Sequence, residues 1–214
     1  LRSAGYRTAT FSPFGERHGS FWIYNGFNEM CNTGKGGGER SDEIVPLALE
    51  WLDRNAASDK WHLHINVWDP HTPYKAPEDF GYPFEKDPPP AWMTDDIIKK
   101  NWNTYGPGNG QEPGGGYLSH DCYSEWSNRM AMQIKTMSDY KKWIDGYDTG
   151  ILYADHYVGM IVEKLKKLGV YEDTLIVVTS DHGENQGELA VYGDHQTADH
   201  ITNRVPMIIR HPKG

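Results

Sequence analysis

The sequence predicts an α/β domain: a mostly parallel sheet with helices on both faces, carrying a loop-rich insertion over about residues 75–135. Three observations carry this. The run Leu175, Ile176, Val177, Val178 is unbroken and apolar, as in a strand buried on both faces of a sheet. It follows a stretch in which Ile151, Ala154, Val158, Ile161, Val162, Leu165 and Leu168 recur at three and four. Residues 61–67 alternate, with Leu63, Ile65 and Val67 on one face and His62, His64 and Asn66 on the other. Strands and helices that take turns along a chain favour a parallel sheet flanked by helices.

The elements follow in chain order. "YRTATF" reads as a short strand, followed by "SPFGERH" at its carboxyl end. "SDEIVPLALEWLDRNAA", residues 41–57, opens with cap chemistry and an acidic first turn and places Ile44, Leu47, Trp51 and Leu52 at helical spacing. Pro46 must then occupy the first turn. The alternating strand stops at Asp69-Pro70. Residues 75–135 carry "KDPPPAW" and "YGPGNGQEPGGGY", loop compositions broken by one short helix around "TDDIIKKNW". This insertion is either a surface excursion or the wall of a cleft bearing Trp92, Trp102, Tyr105 and Tyr117. Gly169 ends the long helix before "TLIVVTS", and "VPMIIR" from Val205 is a further short strand.

Composition narrows the function classes. A chain of 214 residues can bury a core, since a domain of that size removes roughly 70% of its unfolded surface from water. Net charge is −9, with 21 basic against 30 acidic residues and no basic cluster to follow a row of phosphates, so nucleic acid is excluded as a partner. No run approaches the ~18 apolar residues of a membrane helix, so no membrane partner is expected. Cys31 and Cys122 match no zinc or redox spacing and leave the compartment open. The opening "LRSAGYRTAT" is neither a signal sequence nor a capped beginning, and the chain is expected to be a piece of a longer protein.

The chemistry gathers after the strands, where ligands of α/β sheets bind. Asp181-His182 follows one strand, Asp69-Pro70-His71 another, and Arg17 and His18 follow the first. Adjacent carboxylate and imidazole can face one cation once the chain turns, and Gly183 permits that turn. The commoner reading of such a pair is a loop cap with an exposed histidine.

"YADHYVGMIVEKLKKLGVYEDTLIVVTSDHGE", residues 153–184, and "RVPMIIRHPKG" resemble segments of the type I, formylglycine-dependent sulfatases of the alkaline phosphatase superfamily. "GYRTATFSPFGERHGSFW" and "VWDPHTPY" extend the likeness. The resemblance implies an alkaline-phosphatase-like α/β fold, with residues 1–214 as part of a sulfatase catalytic domain, and hydrolysis of a sulfuric ester with a formylglycine and Ca²⁺. It implies Asp181 and His182 as metal ligands, His71 as the histidine that contacts the sulfate or protonates the leaving oxygen, and His18 as the histidine holding the nucleophile. Where the family has lysines, this chain has Arg17 near His18, and His195 within "YGDHQTADH". It contains no Cys-x-Pro-x-Arg or Ser-x-Pro-x-Arg motif and no Asp-Asp pair ahead of one, so the formylglycine and first metal ligands are expected in an N-terminal part beyond these residues.

A sulfated carbohydrate is the expected substrate, given the aromatic, loop-rich insertion, and desulfation of glycans the expected role; secreted, periplasmic and lysosomal locations stay open, as does the oligomeric state. Two alternatives stand beside this reading. One is a metal-dependent phosphodiesterase or phosphonate hydrolase of the same superfamily, with Zn²⁺ or Mn²⁺ and His195 or His200 as a ligand. The other is a non-catalytic glycan-binding domain. Asp194, Asp199 and His200 are read as a polar surface loop, with substrate contact as the alternative, and His62, His64, His156 and His211 as structural or exposed.

Overall fold

The structure is a computed structural model that describes residues 1–114, 129–195 and 197–212; Tyr117 and Cys122 fall outside these. Element order is β1 (Arg7–Phe11), α1 (Phe14–Arg17), β2 (Glu29–Cys31), α2 (Ser41–Asn55), β3 (Trp61–Ile65), α3 (Asp95–Trp102), α4 (Met137–Lys167), β4 (Ile176–Thr179), α5 (His200–Asn203) and β5 (Met207–Arg210). The chain divides into two compact units. The first comprises Leu1–Asp69, Tyr153–Ile176 and Arg210–Gly214, the second Pro70–Leu152 and Val177–Ile209.

In the first unit the strands run parallel in the order β2-β1-β3, with Ala9 opposite Leu63 and Phe11 opposite Ile65. Because side chains alternate across a sheet, Ala9 and Phe11 face one way and Thr8 and Thr10 the other. The apolar face buries against Ile44, Ala48, Trp51 and Leu52 of α2 and Leu165 of α4. The other face is polar: Thr10 Oγ1 lies 2.8 Å from His64 Nδ1, and Phe27 stacks on His62 and His64. Helices on both faces were expected; the cluster on the apolar face takes in α2 and the end of α4, and the described contacts of the opposite face are those of threonine, histidine and phenylalanine.

The start of α2 departs from expectation. Arg40 is the capping position, with its N–H on Glu43 Oε2 at 3.0 Å, and Pro46 sits in the second turn rather than the first. Ser41 instead donates its N–H and its hydroxyl to Asp69 Oδ2, both at 2.8 Å. Strand β3 ends at Ile65 rather than running on to Asp69, and the Asp69 carboxylate is a cap for α2, stabilising orphan donors at a helix N-terminus. Burial pushes the Asp69 carboxyl upward while the two Ser41 donors pull it back.

The second unit has a half-aromatic core of Tyr74, Met93, Ile98, Met130, Ile134, Tyr140, Trp143 and Tyr192. Four of these lie between residues 75 and 135, so the Gly/Pro-rich segment contributes core as well as loop. Thr94 caps α3 by accepting from Ile97 N. Arg129, 2% exposed, holds the 76–81 loop by donating to the carbonyls of Ala76 (2.6 Å), Gly81 (2.7 Å) and Pro77. Helix α4 begins well before its aliphatic periodicity, because its first half packs with Tyr140, Trp143, Ile144 and Tyr147. Gly150 belongs there since a Cβ would come within 3.0 Å of Pro70 Cβ.

Strands β4 and β5 form a separate two-stranded sheet. Burial of β4 on both faces is not found: Ile176 joins the first unit's core, but Val177 is 50% exposed, and Ile208 of β5 is 63% exposed. Alternation half-buries Ile176 and Val178 of β4, whereas Met207, Ile208 and Ile209 of β5 are all exposed. Cys31 ends strand β2 and is free and half-buried, with burial raising its pKa. Among the described residues no helix is long and apolar enough to cross a membrane.

His64 yields a stability prediction. Burial first, then the neighbouring His62, lowers its pKa below the ordinary imidazole value of 6.5, so the unfolded chain binds this proton more readily than the folded one. Stability is then full above pH 6.5 and falls as pH drops below it, by up to about 1.4 kcal/mol per pH unit for one proton. His64→Asn is expected to flatten part of this slope between pH 7.5 and 5.5 in urea denaturation followed by circular dichroism. An unchanged slope refutes the assignment.

Candidate active site

Two segments of the second unit bring functional side chains together. The first leaves β3 and carries His71, Thr72 and Tyr74; the second leaves β4 and carries Asp181 to Gln186, then turns back through Tyr192 to Gly193, Asp194 and His195. One ring nitrogen each from His71, His182 and His195 lie within 4.8 Å of one another, and all three residues are partly buried. The His182 and His195 rings stack at 3.8 Å with 14° between planes; His71 stands edge-on to both, at 5.6 and 4.8 Å. His71 Nδ1 is 2.5 Å from the Thr72 carbonyl and His182 Nδ1 is 2.8 Å from that of Gly183. Carbonyls only accept, so each neutral ring carries its proton on Nδ1 and its lone pair on Nε2.

A buried polar network fixes these segments to each other. Tyr74 Oη donates to Glu184 Oε1 at 3.0 Å and lies 3.2 Å from Gln186 Nε2, while Trp143 Nε1 donates to Gln186 Oε1 at 2.7 Å. Thr72 Oγ1 donates to the Gly193 carbonyl at 3.3 Å. Burial pushes the Glu184 carboxyl up to about 8, with the Tyr74 hydroxyl opposing the shift, so at neutral pH the group is mainly the uncharged acid.

Two glycines permit the close approach. A Cβ on Gly183 would sit 2.3 Å from the Ile201 carbonyl oxygen, so its role is packing. Gly193 has φ +66°, and a Cβ there would meet Trp143 at 2.6 Å and Thr72 at 2.7 Å. Asn185, fully buried, donates to Asp199 Oδ2 at 3.1 Å, and its N–H donates to the Asp194 carbonyl at 3.2 Å.

Of the residues expected from sequence, His71, His182 and His195 therefore converge. Asp181 lies beside them, its side chain 61% exposed and its Oδ1 3.8 Å from His182 Nε2. Arg17 and His18 belong to the first unit, where the Arg17 guanidinium lies 4.1 Å from the Trp68 ring centroid and His18 packs on Phe14 at 4.3 Å. A Cβ on Gly37 would come within 2.3 Å of Arg17 Cβ, so the glycine-rich loop fits only with that residue bare. Asp194 is 6% exposed rather than part of an open loop, and its Oδ1 accepts from His195 N at 2.7 Å. Asp199 caps α5 through Ile201 N and Thr202 N at 2.8 and 3.0 Å, and its pKa is lowered first by Thr197 and then by these donors. Sequence reasoning missed Glu184, although it stands two places after His182 in "SDHGEN".

The family profile described as Sulfatase matches residues 1–214. The chain belongs to the sulfatase family. The chain is 25% identical to a sulfatase from Formosa agariphila over 97% of its own length and 40% of the relative's. It is 23% identical to the N-acetylglucosamine-6-sulfatase of Bos taurus over 80% of its length and 27% of the relative's. It thus spans less than half of either relative. A structure solved with its substrate D-glucosamine-2-N,6-O-disulfate shares the fold, with TM-score 0.66 and 19% identity over 99% of this chain and 54% of that one.

The resemblance implies calcium and a formylglycine, and the residues on this chain fit them unequally. The sequence has no Cys-x-Pro-x-Arg or Ser-x-Pro-x-Arg from which a formylglycine would form. A hard calcium ion takes six to eight oxygens. Beside the three imidazoles stands the carboxylate of Asp181, and the cluster of metal-capable side chains among the described residues is three nitrogens. Asp181 would supply one of those oxygens.

Because Glu184 is uncharged at neutral pH, Glu184→Gln keeps the shape and the acceptor that Tyr74 uses, and is expected to cost less than about 1 kcal/mol. Glu184→Ala removes the acceptor and leaves a void, costing about 2–4 kcal/mol. Urea denaturation at pH 7 measures both, and equal losses would mean the acid is ionised.

Proposed function

We propose that the protein containing this chain hydrolyses a sulfate ester on a sugar, and that His71, His182 and His195 are this chain's part of the pocket receiving the sulfate. The observation that carries the reading is the convergence of three imidazoles in a chain of the sulfatase family. The bovine relative's name supports an N-acetylglucosamine 6-sulfate as the first substrate to try.

The chemistry follows from what each group can do. Attack at sulfur moves negative charge onto the bridging oxygen, and a positioned histidine N–H that donates to it lowers the barrier, typically by 10²–10⁴ in rate. His71 takes this role as the imidazolium, giving up the proton on Nε2 while Nδ1–H stays on the Thr72 carbonyl, on the segment that Tyr74 and Thr72 anchor. His195 donates to a non-bridging sulfate oxygen, stabilising charge in a site already oriented. Asp181 and His182 take the part of metal ligands, with Asp181 as the exposed carboxylate beside the cluster. Arg17 and His18 take the part of groups holding the nucleophile. A divalent ion, when bound, polarises the sulfate; the nucleophile is not supplied by this sequence.

The full-length protein is expected to release sulfate from N-acetylglucosamine 6-sulfate, measured by ion chromatography. His71→Ala should lower kcat about 10²–10⁴-fold with an unchanged circular dichroism spectrum. The 214-residue chain alone should give no turnover. Cleavage of a phosphonate monoester in preference to the sulfate ester would replace this reading with that of a phosphonate hydrolase. Glycan binding with neither activity would replace it with that of a binding domain.

A further inference from the structure

Apart from the imidazoles, the second unit holds a cavity of about 380 Å³ between the 82–85 segment and the first half of α4. We infer that this cavity binds one uncharged pyranose ring of a glycan, stacked on Tyr82. Its lining includes Tyr82, Glu85, Arg129, Lys142, Asp145 and Thr149, none of which takes part in the proposed chemistry. The inference adds a second binding site to the proposed function, and only the choice of sugar for its test rests on that reading.

The platform is built before any ligand arrives. Arg129, 2% exposed, donates to the Gly81 carbonyl at 2.7 Å, and Lys141 Nζ donates to the Phe84 carbonyl at 3.0 Å. Tyr82 thus stands between two anchored carbonyls, and Glu85 N–H closes the turn on the Tyr82 carbonyl at 3.3 Å. The Arg129 guanidinium lies 4.7 Å from the Tyr82 ring centroid, so a buried cation backs the ring while Tyr82 remains 50% exposed. Gly146 of α4 lets Arg129 come this close, since a Cβ there would sit 2.5 Å from the Arg129 carbonyl oxygen. An exposed aromatic ring on a segment held at both ends has little freedom left to lose, which lowers the cost of binding.

The walls choose the ligand. The volume falls within the roughly 300–1,000 Å³ of small-molecule sites, which set a few polar groups around an apolar surface. Here the polar groups are of both signs: an anion meets the carboxylates of Glu85 and Asp145, and a cation meets Arg129 and Lys142. A sugar hydroxyl both donates and accepts, so it suits the carboxylates and the ammonium alike. Lys141 already binds both Asp145 oxygens, at 3.0 and 2.9 Å, but a carboxylate has about four acceptor positions and keeps room for a hydroxyl. The C–H face of a pyranose matches the apolar body of the tyrosine, whose polar tip tolerates water.

The test uses the full-length protein and the unsulfated tetramer of N-acetylglucosamine, the sugar in the bovine relative's name. The tetramer is expected to protect Tyr82 from nitration by tetranitromethane, read by peptide mass, while Tyr105, 99% exposed, stays reactive. By titration calorimetry Tyr82→Ala should weaken binding about tenfold or more, as loss of an aromatic anchor does. Tyr82→Phe and His71→Ala should both bind as the parent does. The inference is overturned if Tyr82 stays as reactive as before, if Tyr82 and Tyr105 are protected alike, or if His71→Ala abolishes binding. Nitration of the parent needs no variant, so a Tyr82→Ala protein that fails to fold does not rescue the idea. With binding shown, a KM raised by Tyr82→Ala for the 6-sulfated tetramer but not for the monosaccharide makes the bound ring part of the substrate's own chain. An unchanged KM for both makes it part of a separate glycan, and the site stands either way. Protection without sulfate release would sink only the proposed function, and sulfate release without protection would sink only this site.

Discussion

The candidate site depends on one buried polar knot: the Glu184 carboxyl, the Tyr74 hydroxyl, the Gln186 amide and the Trp143 indole N–H. A buried polar group costs several kcal/mol unless it is bonded, and an ionised one more. Hydrogen bonds have direction, so satisfying all four groups at once leaves few ways to place the segments that carry them. His71 lies three residues before Tyr74 and His182 two before Glu184, so the arrangement that satisfies the knot also fixes where those imidazoles begin. Hydrophobic burial of Tyr74, Trp143 and Tyr192 supplies the drive to collapse, but it would tolerate several registers. The polar contacts select one.

Much of the first unit was legible because its pattern is aliphatic and periodic. The alternation of Leu63 and Ile65 with His62 and His64 marks β3, and the spacing of Ile44, Trp51 and Leu52 marks α2. Strand β2 was not legible, since Glu29, Met30 and Cys31 are too few to alternate. The first half of α4 was hidden for another reason: its inward residues are tyrosine and tryptophan, and Gly146 and Gly150 read as breakers although they admit close backbone approach. In the site, the identities of His71, His182 and His195 were legible as chemistry, but their meeting was not. Long-range convergence is written in contacts such as Gly183 against Ile201, which no local pattern encodes.

The two carboxylates that follow strands make an instructive contrast. Both Asp69 and Asp181 were placed by sequence at strand ends, where ligands gather. Asp69 spends its acceptor on Ser41 and is 6% exposed, a cap within the first unit. Asp181 keeps a 61% exposed side chain beside an imidazole. The dipeptide context alone does not separate these fates; what separates them is whether a helix N-terminus stands within reach. A strand-end carboxylate is therefore best weighed by first asking which orphan N–H groups it could satisfy.

The position of His195 bears on what kind of pocket this is. The family pattern implies lysine there, and an ammonium offers only donors, which suits a sulfate oxygen and repels a cation. A neutral imidazole offers one donor and one lone pair, so the same place can serve an anion through its N–H or a metal through its nitrogen. With His71 and His182 within reach, His195 completes a group of three imidazoles. The exchange of an amine for an imidazole changes more than the strength of one hydrogen bond: it converts a position that can only face negative charge into one whose occupant depends on what the surroundings supply. His195 stands in contact with His182, their rings stacked at 3.8 Å, so what one of them binds bears directly on the other.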